Sequence, residues 1–522
     1  MEYNNPSQYV KELHFGSEAK NQIIAGVDKL AKAVKSTLGA SGKCVIYEDA
    51  MGKPVITKDG VTVAESVVLH DPVENIGATL IKEAASNTVR EAGDGTTTAT
   101  VLAQSLLRIV NDPKYADHSI RDIKNGIKTC SEKVMEYLSS NATAVSGPQL
   151  KNVSTISCNN DEKLGAIIAG AYEKVGKDGV VLMEESEDDR TYSEIVDGVQ
   201  IDSGITSPYF ITDKDKQRCV LENPLVLIVS SPIPNIRKIQ VILEHVLKTK
   251  RSLLIVAEVD DQVKSALLMN KVKGNIKVNI IDTPGFATSK KDAIEDLAFL
   301  TGAKVVNEEL GDDLDLIQPD CLGEVVKSVT DSRTTVLTTG SINEDLTERI
   351  NEVKQSIKKE KKPYFKKKLQ ERLAMLSGSV GIIKVGADSK VELKEKKDRV
   401  EDSIYAVKAA LQEGIVPGGG VALLNAALFI EEENIGEEML SKAILSPFMV
   451  ILDNAGIKLD QLPSKKGYGI DVTTGETVDM VEKGIIDPVL VTKTALKNAV
   501  SVVSTIISAD CVINNVRVNE SN

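Results

Sequence analysis

The sequence predicts a multidomain protein of mixed α+β and α/β class: mostly helical segments at the two ends of the chain, and in the middle a sheet flanked by helices. Three observations carry that prediction. The chain has 522 residues, about three domains at roughly 150 residues each. Between residues 224 and 300 apolar runs alternate with helical stretches, whereas on either side apolar residues recur at helical spacing.

Taken in order, Ile23, Val27, Leu30, Val34 and Leu38 fall three or four apart and mark one face of a helix over Glu18 to Leu38, stopped by Gly39. KCVIYED and KPVITKDG then read as a hairpin turning at Gly52. Helical spacing returns from Ile76 to Val89, breaks at Gly93-Asp94-Gly95, and resumes from Thr98 to Val110 before Asn111-Asp112-Pro113. PLVLIVSS, SLLIVAEV and NIKVNIID alternate with helices, the pattern of a parallel sheet covered on both faces. Residues 342–377 read as a charged helical hairpin broken at Pro363, whose lysines are interleaved with Glu on a solvated face. The last hundred residues read as helical.

Composition excludes several classes. Lys+Arg 63 against Asp+Glu 76 gives a net charge of −13, the wrong sign for a nucleic-acid binder. Apolar residues are 42%, aromatic residues 3% and Trp is absent, so the cores must be aliphatic. Cys44, Cys130, Cys158, Cys219, Cys321 and Cys511 form no C-x-x-C pair, and His14, His70, His118 and His245 have no ligand spacing. The cysteines read as reduced thiols in a cytoplasmic protein. No signal or transit pattern opens the chain, and no window is expected to reach the ~18 apolar residues of a membrane span.

The strongest local signal is Gly93-Asp94-Gly95-Thr96-Thr97-Thr98 between two helices. A helix start presents unpaired N–H groups and partial positive charge, so glycines followed by three hydroxyls form a cradle for phosphate. A carboxylate beside a triphosphate needs a divalent cation between them, which points to Mg²⁺ with Asp94 as its protein ligand. Alone, such a motif reads first as a helix cap. Thr37-Leu38-Gly39, Lys58-Asp59-Gly60 and Gly418-Gly419-Gly420 repeat exposed backbone near helices, and none matches the G-x-x-x-x-G-K-[ST] loop.

Together VKSTLGASGKCVIYED, ITKDGVTVAES, AGDGTTTATVLAQSLL, EKVGKDGVV, SPYF, LKEKKDRVEDSIYAVKAALQEGIVPGGGVALL, YGIDVTTGETVDM and KGIIDPVLVTKTAL resemble, in order and spacing, the group I chaperonins of the GroEL type. The resemblance spans about Phe15 to Cys511. It implies an equatorial ATPase domain (1–140 and 413–522), an intermediate hinge domain (141–196 and 381–412) and an apical client-binding domain (197–380). It implies an ATP-dependent chaperone that folds non-native polypeptides inside a homo-oligomeric, heptameric ring, with a GroES-type co-chaperonin, no nucleic acid and no membrane. An ATP-binding ring scaffold with reduced or specialised folding activity is the alternative.

Carried over, Asp94 is the Mg²⁺ ligand and Gly95, Thr96, Thr97 and Thr98 hold phosphates. Thr37, Leu38, Gly39 and Ala40 touch the phosphate and base side; Lys58, Gly60 and Thr97 lie where K⁺ is placed. Gly419, Asp471, Ile485 and Asp487 surround the nucleoside. Asp402 positions the attacking water, with Asp59 opposite. Ile205, Ser207, Tyr209, Phe210, Leu243, Leu268 and Met269 match the apolar client groove.

Several positions depart from the family. Gln240 and Lys264 stand at usually apolar groove positions, Ser203 and Lys390 replace an apical ion pair, and Met449 and Lys458 replace a ring-to-ring pair. Asp471 replaces an Asn, Pro417 an Ala and Ser379 a hinge glycine, and the Gly-Gly-Met tail is absent. Losing the complementary charge leads to the expectation that the rings pair weakly or work singly.

Overall fold

The computed structural model describes residues 11–339 and 379–515, except 50, 146, 177–178, 187, 215, 285–287 and 309–310, with 349, 352, 353, 355, 356, 369 and 373 besides. Apart from those few positions, the charged hairpin expected at 342–377 lies outside the described residues. The chain divides into two compact units: Met1–Gly170, Glu185–Thr191 and Val385–Asn522 form one; Ala171–Glu184 and Tyr192–Lys384 form the other.

Helices from both ends of the chain build the first unit. The stripe read from spacing is the buried face of helix Gly16–Lys35: Ile23, Val27, Leu30 and Val34 are each 3% exposed or less. They pack into one aliphatic core with Ile81 of Pro72–Ala92, Leu102 and Leu106 of Thr96–Val110, Ile127 of Ile120–Ser140 and Leu496 and Val503 of Val489–Ile506. Pro72 opens its helix where a missing N–H costs nothing, and the Asp71 carboxylate accepts the N–H groups of Val73 and Glu74. Lys11–Phe15 pairs antiparallel with Cys511–Asn515, Leu13 facing Ile513. The expected hairpin forms from Val45–Glu48 and Pro54–Thr57.

One expectation needs correcting. Helix Val489–Ile506 has 18 residues and a mean hydropathy of 1.2, long and apolar enough to span a membrane by composition. Packed centrally, it is apolar around much of its circumference; Leu496, Ala499 and Val503 sit inside the core.

Among the described residues the second unit holds two sheets. In one, Val305–Val306, Leu225–Val229, Leu253–Val256 and Val278–Ile281 run parallel in that order, with Gly323–Glu324 antiparallel to Leu225–Val229. Alternate residues serve two cores, as a sheet covered on both faces requires. Leu227 and Ile255 pack with Ile242 and Val263 of helices Gln240–Thr249 and Asp261–Val272, whereas Ile228 and Val256 pack with Ile294 and Leu297 of Thr288–Thr301.

The second sheet has six strands, in the order Val180–Glu185, Ser379–Val385, Tyr192–Ile201, Thr335–Thr338, Lys327–Thr330 and Cys219–Glu222. Its pairings from Ser379–Val385 across to Cys219–Glu222 are antiparallel. A part-buried cluster braces one end: Glu184 bonds Lys327 at 2.5 Å and Lys384 at 2.6 Å.

Candidate functional site

Within the first unit lies a cavity of about 670 Å³. Its walls include Thr37 to Ala40, Lys58 to Gly60, Asp94 to Thr98, Asp402, Gly419, Asp471, Ile485 and Asp487. These residues come from segments up to 450 positions apart, and the fold brings them together.

Local chemistry explains how each acid is presented. Helix Pro72–Ala92 ends at Gly93, left-handed at φ 77°, whose N–H returns to the Val89 carbonyl. Gly95, at φ 98°, starts Thr96–Val110 without a side-chain cap, leaving the first-turn N–H groups of that helix open toward the cavity. Asp94 is held between these two turns and accepts the Gly95 N–H. Asp59 caps helix Gly60–Ser66, accepting the Val61 N–H at 3.1 Å and, on its other oxygen, the Thr62 N–H at 2.8 Å and hydroxyl at 2.6 Å. Asp487 sits on Ile486–Pro488, opposite Val416 of the strand before the glycine turn. Asp402 projects from helix Lys390–Glu413, which is fixed to helix Pro148–Ser157 by the Ser154 and Ser403 hydroxyls, 2.9 Å apart.

The rest of the wall is equally anchored. The Asn454 side-chain amide donates to the Lys35 and Leu38 carbonyls, both at 2.9 Å, holding the Thr37–Ala40 loop. The Asp471 carboxylate accepts the Thr473 N–H at 2.9 Å and hydroxyl at 2.6 Å, and the hydroxyl bond holds it ionised, below the usual carboxylate range.

The acids strain against one another. Burial raises Asp94, and the charge of Asp59 adds to it, while the Gly95 N–H opposes. Burial, then Asp94 and Asp59, lifts Asp402 well above the carboxylate range. Asp487 is pushed up to about 7 by burial and by Asp94, against the Gly419 N–H. Like charges crowded in a half-desolvated space favour the neutral form unless a cation joins them.

That donor set fits a divalent cation shared with a ligand. Among the described residues no group of three or more His, Cys, Asp or Glu side chains could hold a metal alone. One carboxylate, Asp94, beside open helix N–H groups and the Thr96, Thr97 and Thr98 hydroxyls suits Mg²⁺, which takes one or two protein carboxylates and fills its shell with phosphate and water oxygens. Thr97 also lies against the Lys58–Gly60 turn: a β-carbon on Gly60 would stand 2.3 Å from its hydroxyl. This contact suits a monovalent cation held by the hydroxyl and that turn's backbone.

The cavity also contains residues that motif reading did not assign, among them Asn159, Asn160, Glu395, Asp398, Arg399 and Lys483. Arg399 lies one turn before Asp402, ion-paired with Glu395 at 2.6 Å and Asp161 at 3.9 Å. Asn159 and Asn160 have left-handed φ of 59° and 64°, a conformation in which Asn is several-fold enriched. The doubled Asn after a helical stretch was the available signal.

The expected client residues lie in the second unit. Tyr209 is 74% exposed and Met269 60%. Ile205, Leu243 and Leu268 are half-buried against a core that fully encloses Phe210, and Ser207 is half-buried. Phe210 therefore supports this face from beneath and presents no surface of its own. Val241, Leu247 and Val272, not singled out from sequence, are exposed on the same two helices.

Over residues 30–517 the chain matches the TCP-1/cpn60 chaperonin family. Among solved structures it is similar to the chaperonin gp146 from bacteriophage EL 2 (Pseudomonas aeruginosa), crystallised in the presence of ATP-BeFx. Crystal form II aligns with a TM-score of 0.72 at 21% identity, covering 97% of this chain and 99% of that one. Crystal form I gives 0.64 at 21% identity, with the same coverage.

Proposed function

The chain belongs to the TCP-1/cpn60 chaperonin family, and from that premise we propose that it is an ATP-dependent folding chaperone, hydrolysing Mg-ATP in the acid-lined cavity of its first unit. The observation that carries this reading is the gathering of Asp59, Asp94, Asp402 and Asp487 around one cavity at an open helix N-terminus. A family resemblance supports the chaperone class; the cavity supports the chemistry.

Each residue has a task. The N–H groups and hydroxyls of Gly95 to Thr98 bind phosphate oxygens, and Asp94 would hold Mg²⁺, which supplies charge neutralisation to the triphosphate. Thr97 and the Lys58–Gly60 turn would hold K⁺. Asp487 and Gly419 face the ribose, while Ile485 and Asp471 line the base end. Asp402 orients water in line with the γ-phosphorus, and Asp59 stands opposite it. The water oxygen bonds to that phosphorus as the bond to the β–γ bridging oxygen breaks; the bridging oxygen leaves on ADP with the electron pair. The proton lost by water passes to Asp402 and on to solvent.

In this reading the domains are the equatorial, intermediate and apical segments expected from the sequence. Non-native chains bind the Tyr209 and Met269 face without sequence specificity, since apolar contact yields roughly 25 cal/mol per Å² whatever the partner, and a heptameric cytoplasmic ring multiplies a weak grip. A GroES-type lid is the implied partner, and the missing ring-to-ring ion pair favours weakly paired or single rings. The purified protein should hydrolyse ATP, raise the yield of a refolding denatured enzyme only with ATP, and form rings by electron microscopy. Absence of ATP hydrolysis would overturn the reading. Hydrolysis without any refolding gain would favour the scaffold alternative.

A further inference from the structure

We propose that Lys271 is a positioning residue of the client face: its ammonium ties the turn that bears Tyr209 to the helix that bears Met269, so that the two halves of the face present one fixed surface to a non-native chain. The inference rests on the client-binding reading above and goes beyond it, because that reading names the exposed side chains and not what holds them in place.

The turn has little of its own to hold it. Pro208–Phe210 is a single turn of 3₁₀-helix, in which the Phe210 N–H donates to the Ser207 carbonyl at 3.0 Å and the Ile211 N–H to the Pro208 carbonyl at 3.1 Å. Such bonds have poorer geometry than those of an α-helix. Phe210 anchors the turn in the core, where it is fully buried, whereas Tyr209 is 74% exposed and its ring has little packing to fix it. Lys271 supplies a second hold. Its Nζ donates to the Tyr209 carbonyl at 2.9 Å and to the Ile211 carbonyl at 3.2 Å, on either side of Phe210, and lies 5.8 Å from the centre of the Phe210 ring.

A lysine in the last turn of a helix ordinarily serves the helix itself, by facing its terminal carbonyls. Lys271 stands in the last turn of Asp261–Val272, yet its bonds go to residues 62 and 60 positions earlier in the chain. Among the described residues it makes no ion pair, so its charge is not spent on a carboxylate. Burial pulls Lys271 below the usual lysine range, with the buried Cys219 thiol opposing. An ammonium partly stripped of water must regain its hydrogen bonds from the protein, and the two carbonyls of the turn provide them.

What the tie secures is the arrangement of the exposed residues around it. Met269 and Val272, 60% and 77% exposed, stand two places before and one place after Lys271 on the helix. Tyr209 stands at the other end of the bond. A segment that is loose until a partner arrives must be ordered as it binds, and fixing it beforehand removes that loss of affinity. Lys271 fixes the backbone from which the Tyr209 ring projects. The ring keeps its own rotation and can still meet chains of different sequence.

The test uses the full-length protein. The chain contains no Trp, so Tyr209→Trp introduces a lone indole at the turn, and its fluorescence anisotropy reports local motion there. Adding Lys271→Met, which keeps the apolar stem and removes the ammonium, should lower that anisotropy as the nanosecond motion of an untied loop enters its decay. Lys271→Met alone should weaken capture of a denatured protein about 5-fold, the weight of one interface side chain that must be ordered on binding. Lys271→Arg, which carries donors enough for both carbonyls, should recover most of both effects. If Lys271→Met does not assemble, Lys271→Gln is measured in its place. Parental capture by the Lys271 variant would overturn the proposal, and so would an indole equally immobile with and without the substitution. A parent that captures no denatured protein would sink the client reading instead, while the anisotropy comparison would still decide whether Lys271 holds the turn.

Discussion

Gly60 lies directly beneath Thr97: a β-carbon at 60 would approach the Thr97 hydroxyl to 2.3 Å. The turn bearing Asp59 and the helix start beside Asp94 are thus in contact. Gly60→Ala must displace the Thr97 hydroxyl from its place beside the turn, and should destabilise the protein by about 1–3 kcal/mol, the usual cost of overpacking, and slow ATP hydrolysis. Thermal unfolding and turnover check this together; parental values for both would mean the two segments separate freely.

Asp402 and Asp94 should fail differently. If Asp402 orients water as proposed, Asp402→Ala should retain ATP binding while losing most turnover, by about 100-fold or more. Asp94→Ala should lose Mg²⁺-dependent nucleotide affinity. Titration with a fluorescent nucleotide, with and without Mg²⁺, separates the two; unchanged Mg²⁺-dependent binding by the Asp94 variant would remove it from the metal site.

Asp487 gives a pH dependence of definite sign. Its folded value is pushed up to about 7, above an unfolded value of about 3.9. Between these the folded protein keeps a proton that the unfolded chain has lost, so this group's contribution to stability falls as pH rises through the window and is flat above it. Asp487→Asn keeps the neutral form. Without nucleotide it should gain on the parent as pH rises from about 4 to 8. The gain is on the order of 2 kcal/mol at the upper end, less than the full shift because the carboxylate faces an open cavity. A stability difference between variant and parent that does not change with pH would disprove the titration.

On the second unit, exposed and enclosed aromatics predict opposite outcomes. Replacing both Tyr209 and Met269 by Ala should reduce capture of a denatured protein several-fold without changing stability. Phe210→Ala, which empties a fully buried site, should cost about 3–5 kcal/mol. Light scattering of an aggregating client and thermal unfolding give the two readouts; undiminished capture by the double variant would move the client face elsewhere.

Elements with local signatures were legible in the sequence. The Ile23 to Val34 stripe, the hairpin at Gly52 and the apolar strands near 225, 253 and 278 all form as their periodicity implies. The six-stranded sheet was not legible, because strand Ser379–Val385 pairs with Tyr192–Ile201 across nearly two hundred residues and no turn residue announces such a partnership. At the site, the glycines flanking Asp94 announced the two left-handed turns that present it. That Asp402 and Asp487 share its cavity is a property of packing, as spacing carries no information about which face of a distant helix turns inward. Lys58 was placed at the site from the sequence; its bond to Asn159 was not legible, because it depends on a loop a hundred positions later.

The ribbon joining Lys11–Phe15 to Cys511–Asn515 has a consequence for biosynthesis. On the ribosome, residues 171–384 are complete while the helical unit still lacks Val489–Ile506 and its closing strand. The acid-lined cavity, with Asp487 and Val491 in its wall, is therefore among the last parts to form. A nascent chain can therefore complete the strands and helices of the second unit well before the walls of the cavity in the first unit can close.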